Sequence, residues 1–302
     1  LFAFDLGYSR PIGTLRRVTA SACLLAVVTI GTVPIPTDAA DPVLVGAGDI
    51  SSCATSGDSA TAKLLLSTPG TVFTTGDNVY DRGTAAEYAN CYDPTWGQVK
   101  TRTRPTPGNH DYATASAAGY FGYFGRRAGS VGKGYYAYNL GTWRIYALNS
   151  NCGFVGCGST SAQARWLKAD LAANPRRCVL AYWHHPLFSS GAHGNTAVVK
   201  SLWNILYAYH ADVVLNGHDH DYERFARQSP NGVRTAKGLR EFVVGTGGRS
   251  HYAWGSIKRN SLARNNTTYG VLKLTLHPGS YSWRFQPVAG KTWTDSGTTS
   301  CG

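Results

Sequence analysis

Val43-Leu44-Val45-Gly46-Ala47-Gly48-Asp49 reads as a buried strand that ends abruptly in a glycine and a carboxylate. A short apolar run bounded by small residues suits a strand, and a terminal glycine lets the backbone turn so that the next side chain points into a cleft. The same grammar recurs along the chain. Thr71–Thr75 is strand-like and leads into Gly76-Asp77-Asn78-Val79-Tyr80. Val179–Trp183 leads into His184-His185-Pro186, and Asp212–Leu215 into Asn216-Gly217-His218-Asp219-His220. A further polar segment, Gly108-Asn109-His110-Asp111, lies in a Pro-rich loop.

Helix-like stretches separate these runs. Ser59–Ser67, Ser161–Ala173 and Ala197–Tyr209 are the clearest, the second with apolar positions at Ala162, Trp166, Leu167 and Leu171. Strands alternating with helices predict an α/β architecture. Tyr135–Leu140 and Trp143–Asn149 predict a hairpin turning near Gly141. Towards the C-terminus Glu241–Val244, Val271–Leu276 and Tyr281–Phe285 read as antiparallel strands, the last two joined at His277-Pro278-Gly279. No long linker or repeat divides residues 41–302, which predicts one domain.

In open α/β sheets ligands bind beyond the carboxyl ends of the strands, so the polar segments can converge on one site. Their residue types are carboxylates, imidazoles and an amide carbonyl, with no thiolate, a set that suits Zn, Mn or Fe. Two such metals about 4 Å apart clamp a phosphoryl group and bring the pKa of a bound water near neutrality, so no Ser or Cys nucleophile is needed. Each segment alone has an ordinary reading as a turn or loop. Gly217-His218-Asp219-His220 is the most informative, because two histidines two apart in a tight loop reach one site.

Together these segments resemble the calcineurin-like metallophosphoesterases, and within them the purple acid phosphatases, from Asp49 to about Gly248. The broad family carries Asp-x-His in the first segment, where this chain has Ser51. Purple acid phosphatases share that loss and supply a tyrosine in Gly-Asp-x-x-Tyr, matched here by Gly76 to Tyr80. Gly217 to Arg224 is similar to their Gly-His-x-His-x-Tyr-Glu-Arg stretch, and His193 follows His184 by a similar spacing. The resemblance implies a four-layer α/β/β/α sandwich. It implies a first metal on Asp49, Tyr80 and His220, a second on Asn109, His184 and His218, and Asp77 between them. It places His110 beside the phosphate and makes His193 a candidate acid, on a loop, Phe188–Gly194, that reads as flexible. The implied metals are iron with a second Fe, Zn or Mn, and the implied reaction is hydrolysis of a phosphomonoester by a metal-bound hydroxide. The rival readings of Tyr80 and His193 are an aromatic packed under the site and an exposed loop histidine. His185, His210, His251 and His277 are expected to be structural or exposed.

Composition sets the context. Arg10, Arg16 and Arg17 precede an uncharged stretch from Val18 to Thr37, and Ala39 and Ala40 follow. Basic, apolar, then small is the order of a secretory signal, which predicts residues 1–40 as a leader and the remainder as secreted or extracytoplasmic. Retained, the segment would be a membrane anchor. Six cysteines lie beyond it (Cys53, Cys91, Cys152, Cys157, Cys178 and Cys301), an even count that suggests disulfides among 15 pairings. Cys152 and Cys157 enclose a short loop, and a Cys178–Cys301 bond would tie the C-terminal tail to a core strand; buried free thiols are the alternative. The net charge of +12 favours an anionic, phosphorylated small substrate. Dispersed basic residues argue against a specific nucleic-acid reader. Two other functions remain open: a phosphodiesterase or nucleotidase using the same site, and a non-catalytic polyanion-binding surface protein with a structural metal site.

Overall fold

Apolar strands with both neighbours occupied must be covered on both faces, and this dictates the layers. The computed structural model describes residues 40–302, so the leader reading lies outside the described residues. In chain order the strands are β1 (Val43–Ala47), β2 (Ser51–Ser52), β3 (Thr71–Thr75), β4 (Val79–Tyr80), β5 (Thr103–Thr106), β6 (Tyr136–Leu140), β7 (Trp143–Ala147) and β8 (Val179–Tyr182). They continue as β9 (Val213–Asn216), β10 (Tyr222–Phe225), β11 (Arg240–Val244), β12 (Ser261–Asn265), β13 (Gly270–His277), β14 (Ser280–Pro287) and β15 (Ser296–Ser300). One sheet runs β15-β14-β13-β1-β3-β5, the other β12-β10-β11-β9-β8-β7-β6, and β2 pairs with β4. β1, β3 and β5 are mutually parallel, as are β7, β8, β9 and β11.

Strand alternation divides the core. Leu180 and Tyr182 of β8 and Val213 and Leu215 of β9 join Leu44, Phe73, Leu272 and Phe285 of the first sheet in one apolar cluster. Val179, Ala181 and Val214 point the other way and pack with Leu167, Leu171, Leu202 and Leu206 from helices Ala162–Ala173 and Lys200–Ala208. Ring pairs seal the sheet-to-sheet interface: Phe73 with Tyr182 at 5.9 Å, Tyr222 with Phe285 at 4.9 Å, and Phe242 with Trp283 at 5.9 Å. Helix Gly57–Ser67 packs against the first sheet, with Ala62 and Leu65 buried. The chain is therefore a mixed α/β fold with helices flanking two stacked sheets.

Most expected elements stand within two residues of their reading. Ser161 accepts from the Ala164 amide at 3.2 Å and caps its helix as its sequence position suggests. Together with β10, β12 and β15, β5 is an addition. Pro105 makes its sequence read as a loop, but β5 is a sheet edge, where a missing N–H is tolerated. Disulfides join Cys53 to Cys91, Cys152 to Cys157 and Cys178 to Cys301. The last bond ties the end of β15 to the start of β8. Among the described residues no helix is long and apolar enough to cross a membrane.

Candidate metal centre

The carboxyl ends of β1, β3, β5, β8 and β9 deliver the polar segments to one place. Asp49, Asp77, Tyr80, His184 and His220 are buried there, while Asn109, His110 and His218 are half-exposed and His193 is exposed, which marks the open side. The turns that aim these side chains are strained. Asp49, Asp77 and His218 have φ of 58°, 46° and 73°, left-handed values that cost a non-glycine residue about 1 kcal/mol or more. Close approach is equally specific: a Cβ on Gly108 would lie 2.1 Å from Asp77 Oδ1. Only glycine lets the Asn109 loop close over that carboxylate.

The donors form two groups. In the first, Tyr80 Oη lies 2.8 Å from Asp49 Oδ1, 2.9 Å from Asp77 Oδ2 and 3.1 Å from His220 Nε2. In the second, His184 Nε2 lies 3.0 Å from Asn109 Oδ1, 3.2 Å from His218 Nδ1 and 3.3 Å from Asp77 Oδ2. Asp77 Oδ2 belongs to both. Each group therefore gathers three partners around an atom that carries at most one proton, although buried acceptors ordinarily each require a donor. Protein protons cannot satisfy this arrangement fully. Cations can, and oxygen and imidazole donors in this mixture fit Zn, Mn or Fe.

Surrounding bonds orient the rings. His184 Nδ1 donates to the Thr75 carbonyl at 2.8 Å, which turns Nε2 to the second group. His220 Nδ1 pairs with Ser250 Oγ at 2.7 Å, which turns its Nε2 to the first. His110 Nδ1 donates to the Asp81 carbonyl at 2.6 Å, and Nε2 stands 4.0 Å from Asp77 Oδ2. The His193 ring stacks on His218, centroids 4.4 Å apart. All nine residues singled out from the sequence thus meet in one cluster. Of the remaining histidines, His185 lies beside it, its ring 4.5 Å from His218 and its Nδ1 2.8 Å from Ser150 Oγ. His251 faces the His220 carbonyl and His277 faces Asp41.

The electrostatics demand positive charge. Burial alone would raise the Asp77 pKa, but the charge and hydrogen bond of His184, with His110, hold it well below the usual carboxylate range. Burial opposes a charged His184, yet Asp77 outweighs it and lifts His184 to about 9. Burial, then the neighbouring His184, pushes His185 down to about 3. Tyr80 is driven well above an ordinary phenol by burial and by the charges of Asp49 and Asp77.

Three contributors have no sequence reading. Asp111, buried, accepts from the Gly108 amide at 2.8 Å, Asn78 Nδ2 at 3.0 Å and Tyr88 Oη at 2.6 Å, and so shapes the loop carrying Asn109. Burial and then Asp77 raise its pKa to about 6. Ser250 orients His220, and Tyr252 stacks on His220 at 3.9 Å. Both follow β11 after Gly245-Thr246-Gly247-Gly248, the strand-then-glycine grammar of the other segments, which is the signal that marks them.

The calcineurin-like phosphoesterase family matches residues 47–222, more than half of the 302-residue chain. Purple acid phosphatase 15 of Arabidopsis thaliana is 28% identical over 201 residues, covering 54% of this chain and 37% of its own. Tartrate-resistant acid phosphatase type 5 of Rattus norvegicus is 40% identical over 77 residues, covering 25% of this chain and 23% of its own. The chain thus spans less than half the length of these relatives. Purple acid phosphatase PPD1 from yellow lupin seeds superposes with a TM-score of 0.70 at 18% identity, covering 88% of this chain and 55% of that one. GAP50, the anchor in the inner membrane complex of Plasmodium, superposes with a TM-score of 0.64 at 14% identity, covering 85% and 88%. At those identities the likeness is one of fold. The matched stretch, however, contains every polar segment from Asp49 to His220, and the chain belongs to the calcineurin-like phosphoesterase family, with purple acid phosphatases among its relatives.

Proposed function

We propose that the chain is a binuclear-metal phosphomonoesterase of the purple acid phosphatase type. The observation that carries this is Asp77 Oδ2, 2.9 Å from Tyr80 Oη and 3.3 Å from His184 Nε2, one carboxylate oxygen facing two separate donor groups. Asp49, Tyr80 and His220 would hold one metal, Asn109, His184 and His218 the other, with Asp77 shared. Iron with a second Fe, Zn or Mn suits the donors. Bound there, two metals supply Lewis acidity toward a phosphoryl group and make a water acidic enough to attack it.

The protein's own residues do the rest. His110 is anchored through Nδ1 on Asp81, so Nε2 faces the cleft and can donate to a phosphoryl oxygen. His193, exposed at the mouth and stacked on His218, stands where it can protonate a departing alkoxide. Residues 41–302 act as one catalytic domain on small phosphorylated substrates, aided by the net positive charge. Three disulfides support an oxidising, extracytoplasmic setting.

The test is hydrolysis by the metal-loaded protein of a phosphomonoester, a bis-ester and a nucleotide, with Asp77→Asn and Asn109→Ala beside it. Monoester turnover falling by about 100-fold or more in both variants is the expected result. Preference for the bis-ester or the nucleotide would move the assignment to a phosphodiesterase or nucleotidase. Polyanion binding with no hydrolysis of any ester would refute the enzyme reading.

A further inference from the structure

His193 is exposed, but the first part of the loop that carries it is not. Ser189, Ser190 and Gly191 are buried, contrary to the flexible loop their composition suggests. Buried backbone needs partners, and three carboxylates provide them. Glu241 accepts from the Leu187 amide at 3.0 Å and the Phe188 amide at 3.2 Å. Glu223 accepts from the Ser190 amide at 2.7 Å and from Ser190 Oγ at 2.6 Å. Asp219 takes the tip of the loop. Its Oδ1 accepts from the His193 amide at 2.8 Å, and its Oδ2 accepts from the Gly194 amide at 3.2 Å and from the Ser189 hydroxyl.

Asp219 is fully buried, and it sits between His218 and His220 in sequence. Its oxygens turn to the loop and not to either donor group. The loop packs directly on it, since a Cβ on Gly191 would lie 2.3 Å from the Asp219 carboxyl carbon. One short turn therefore holds two jobs. Its histidines face the donor groups, and the carboxylate between them grips the segment bearing His193.

We infer that Asp219 is a positioning residue that acts through His193: by accepting the His193 and Gly194 amides it fixes the His193 ring against His218 at the mouth of the cleft. This rests on the reading of His193 as a proton donor to the leaving group. A carboxylate that merely stabilised the turn would instead act through metal retention or overall stability.

A double-mutant cycle separates the two. In the full metal-loaded chain, His193→Ala is expected to lower kcat/KM about 100-fold on an alkyl phosphate, the scale of general acid assistance, and much less on nitrophenyl phosphate, whose leaving group needs no proton. Asp219→Ala should lose most of the same factor with the same leaving-group dependence. The double variant should be no worse than His193→Ala alone. Asp219→Asn, which keeps one acceptor, should recover part of the loss and serves if the alanine variant folds poorly. Metal content should stay at the wild-type value, and amide exchange at His193 and Gly194 should quicken.

Multiplicative losses, loss of metal, or unchanged exchange at those two amides would overturn the inference. Full activity in His193→Ala would remove His193 from the mechanism and the inference with it. Wild-type protein inactive on every ester would sink the proposed function instead, and amide exchange would still decide whether Asp219 holds the loop.

Discussion

Chelator-treated protein should lose stability as pH rises above neutrality, because His184 then supplies the positive charge that the donor cluster demands. The imidazolium form has both ring protons placed: Nδ1 on the Thr75 carbonyl at 2.8 Å and Nε2 toward Asp77 at 3.3 Å. Burial works against the charge, but Asp77 prevails and His184 titrates at about 9, against 6.5 ordinarily. A folded pKa above the unfolded one stabilises fully below about 6.5, and that stabilisation is lost as pH climbs through about 9. The difference corresponds to about 3 kcal/mol. For a unit of this size it amounts to about 6–12 °C in Tm. Asp111, raised to about 6, titrates below the window, and burial also raises Asp221 and Glu241, so the part of the fall that belongs to His184 is the part that Asp77→Asn removes. Calorimetry of chelator-treated protein across that range should show the fall, and Asp77→Asn should flatten it. Metal must displace the same proton, so apparent affinity at the second group should rise about tenfold per pH unit up to pH 9. An equal slope in wild type and Asp77→Asn, or a wild-type Tm that rises across the window, would refute the reasoning.

Other perturbations test separate parts. Asn109→Ala removes the amide oxygen 3.0 Å from His184 Nε2 and should cost about 100-fold in kcat/KM, about 2.7 kcal/mol of barrier, with an unchanged circular dichroism spectrum. Tyr80→Phe should abolish any tyrosinate-to-iron band in the visible spectrum of the purified protein. A band that survives would make Tyr80 a packing residue. Cys301→Ser opens a cross-link spanning 123 residues and should lower stability to urea by about 4 kcal/mol. Because Cys178 precedes β8 while His184 follows its far end, the kcat of the folded variant should be unchanged.

The fold was legible wherever a strand or helix carried its own period. β1 and β3 were readable to the residue because one is an apolar run, the other is built of β-branched and aromatic residues, and both are stopped by glycine. β10, β12 and β15 were not: Tyr222–Phe225 reads as the end of a histidine motif, and Ser296–Ser300 as a small polar tail. Their state is set by pairing, β10 with β11 and β12, and β15 with β14, a tertiary context that local propensity does not contain. The candidate site divides in the same way. Its nine residues lie in short polar segments that are ordinary one by one and informative together. Asp111, Asp219 and Ser250 act by holding other residues, and nothing in a carboxylate or hydroxyl alone says which amide or ring it will meet.

Under the proposed assignment, Tyr80 takes the place of a donor that Ser51 does not supply. β2 and β4 pair in parallel, Ser51 beside Val79 and Ser52 beside Tyr80, and the Cys53–Cys91 bond closes the segment just after β2. The buried Ser51 hydroxyl lies 3.3 Å from Thr95 Oγ1 and contributes nothing to the donor cluster. The neighbouring strand supplies the longer side chain, and Tyr80 Oη stands 2.8 Å from Asp49. That exchange has an electrostatic consequence. An imidazole offers a metal a neutral lone pair, whereas this phenol is kept protonated by burial and by Asp49 and Asp77, its pKa far above the ordinary value. It yields its proton only to a cation that outcompetes two carboxylates and desolvation, a demand that a trivalent ion meets far better than a divalent one. Under the proposed assignment, Tyr80 would therefore place the iron in the first group, and the second group, with its imidazoles and amide, would take the divalent partner.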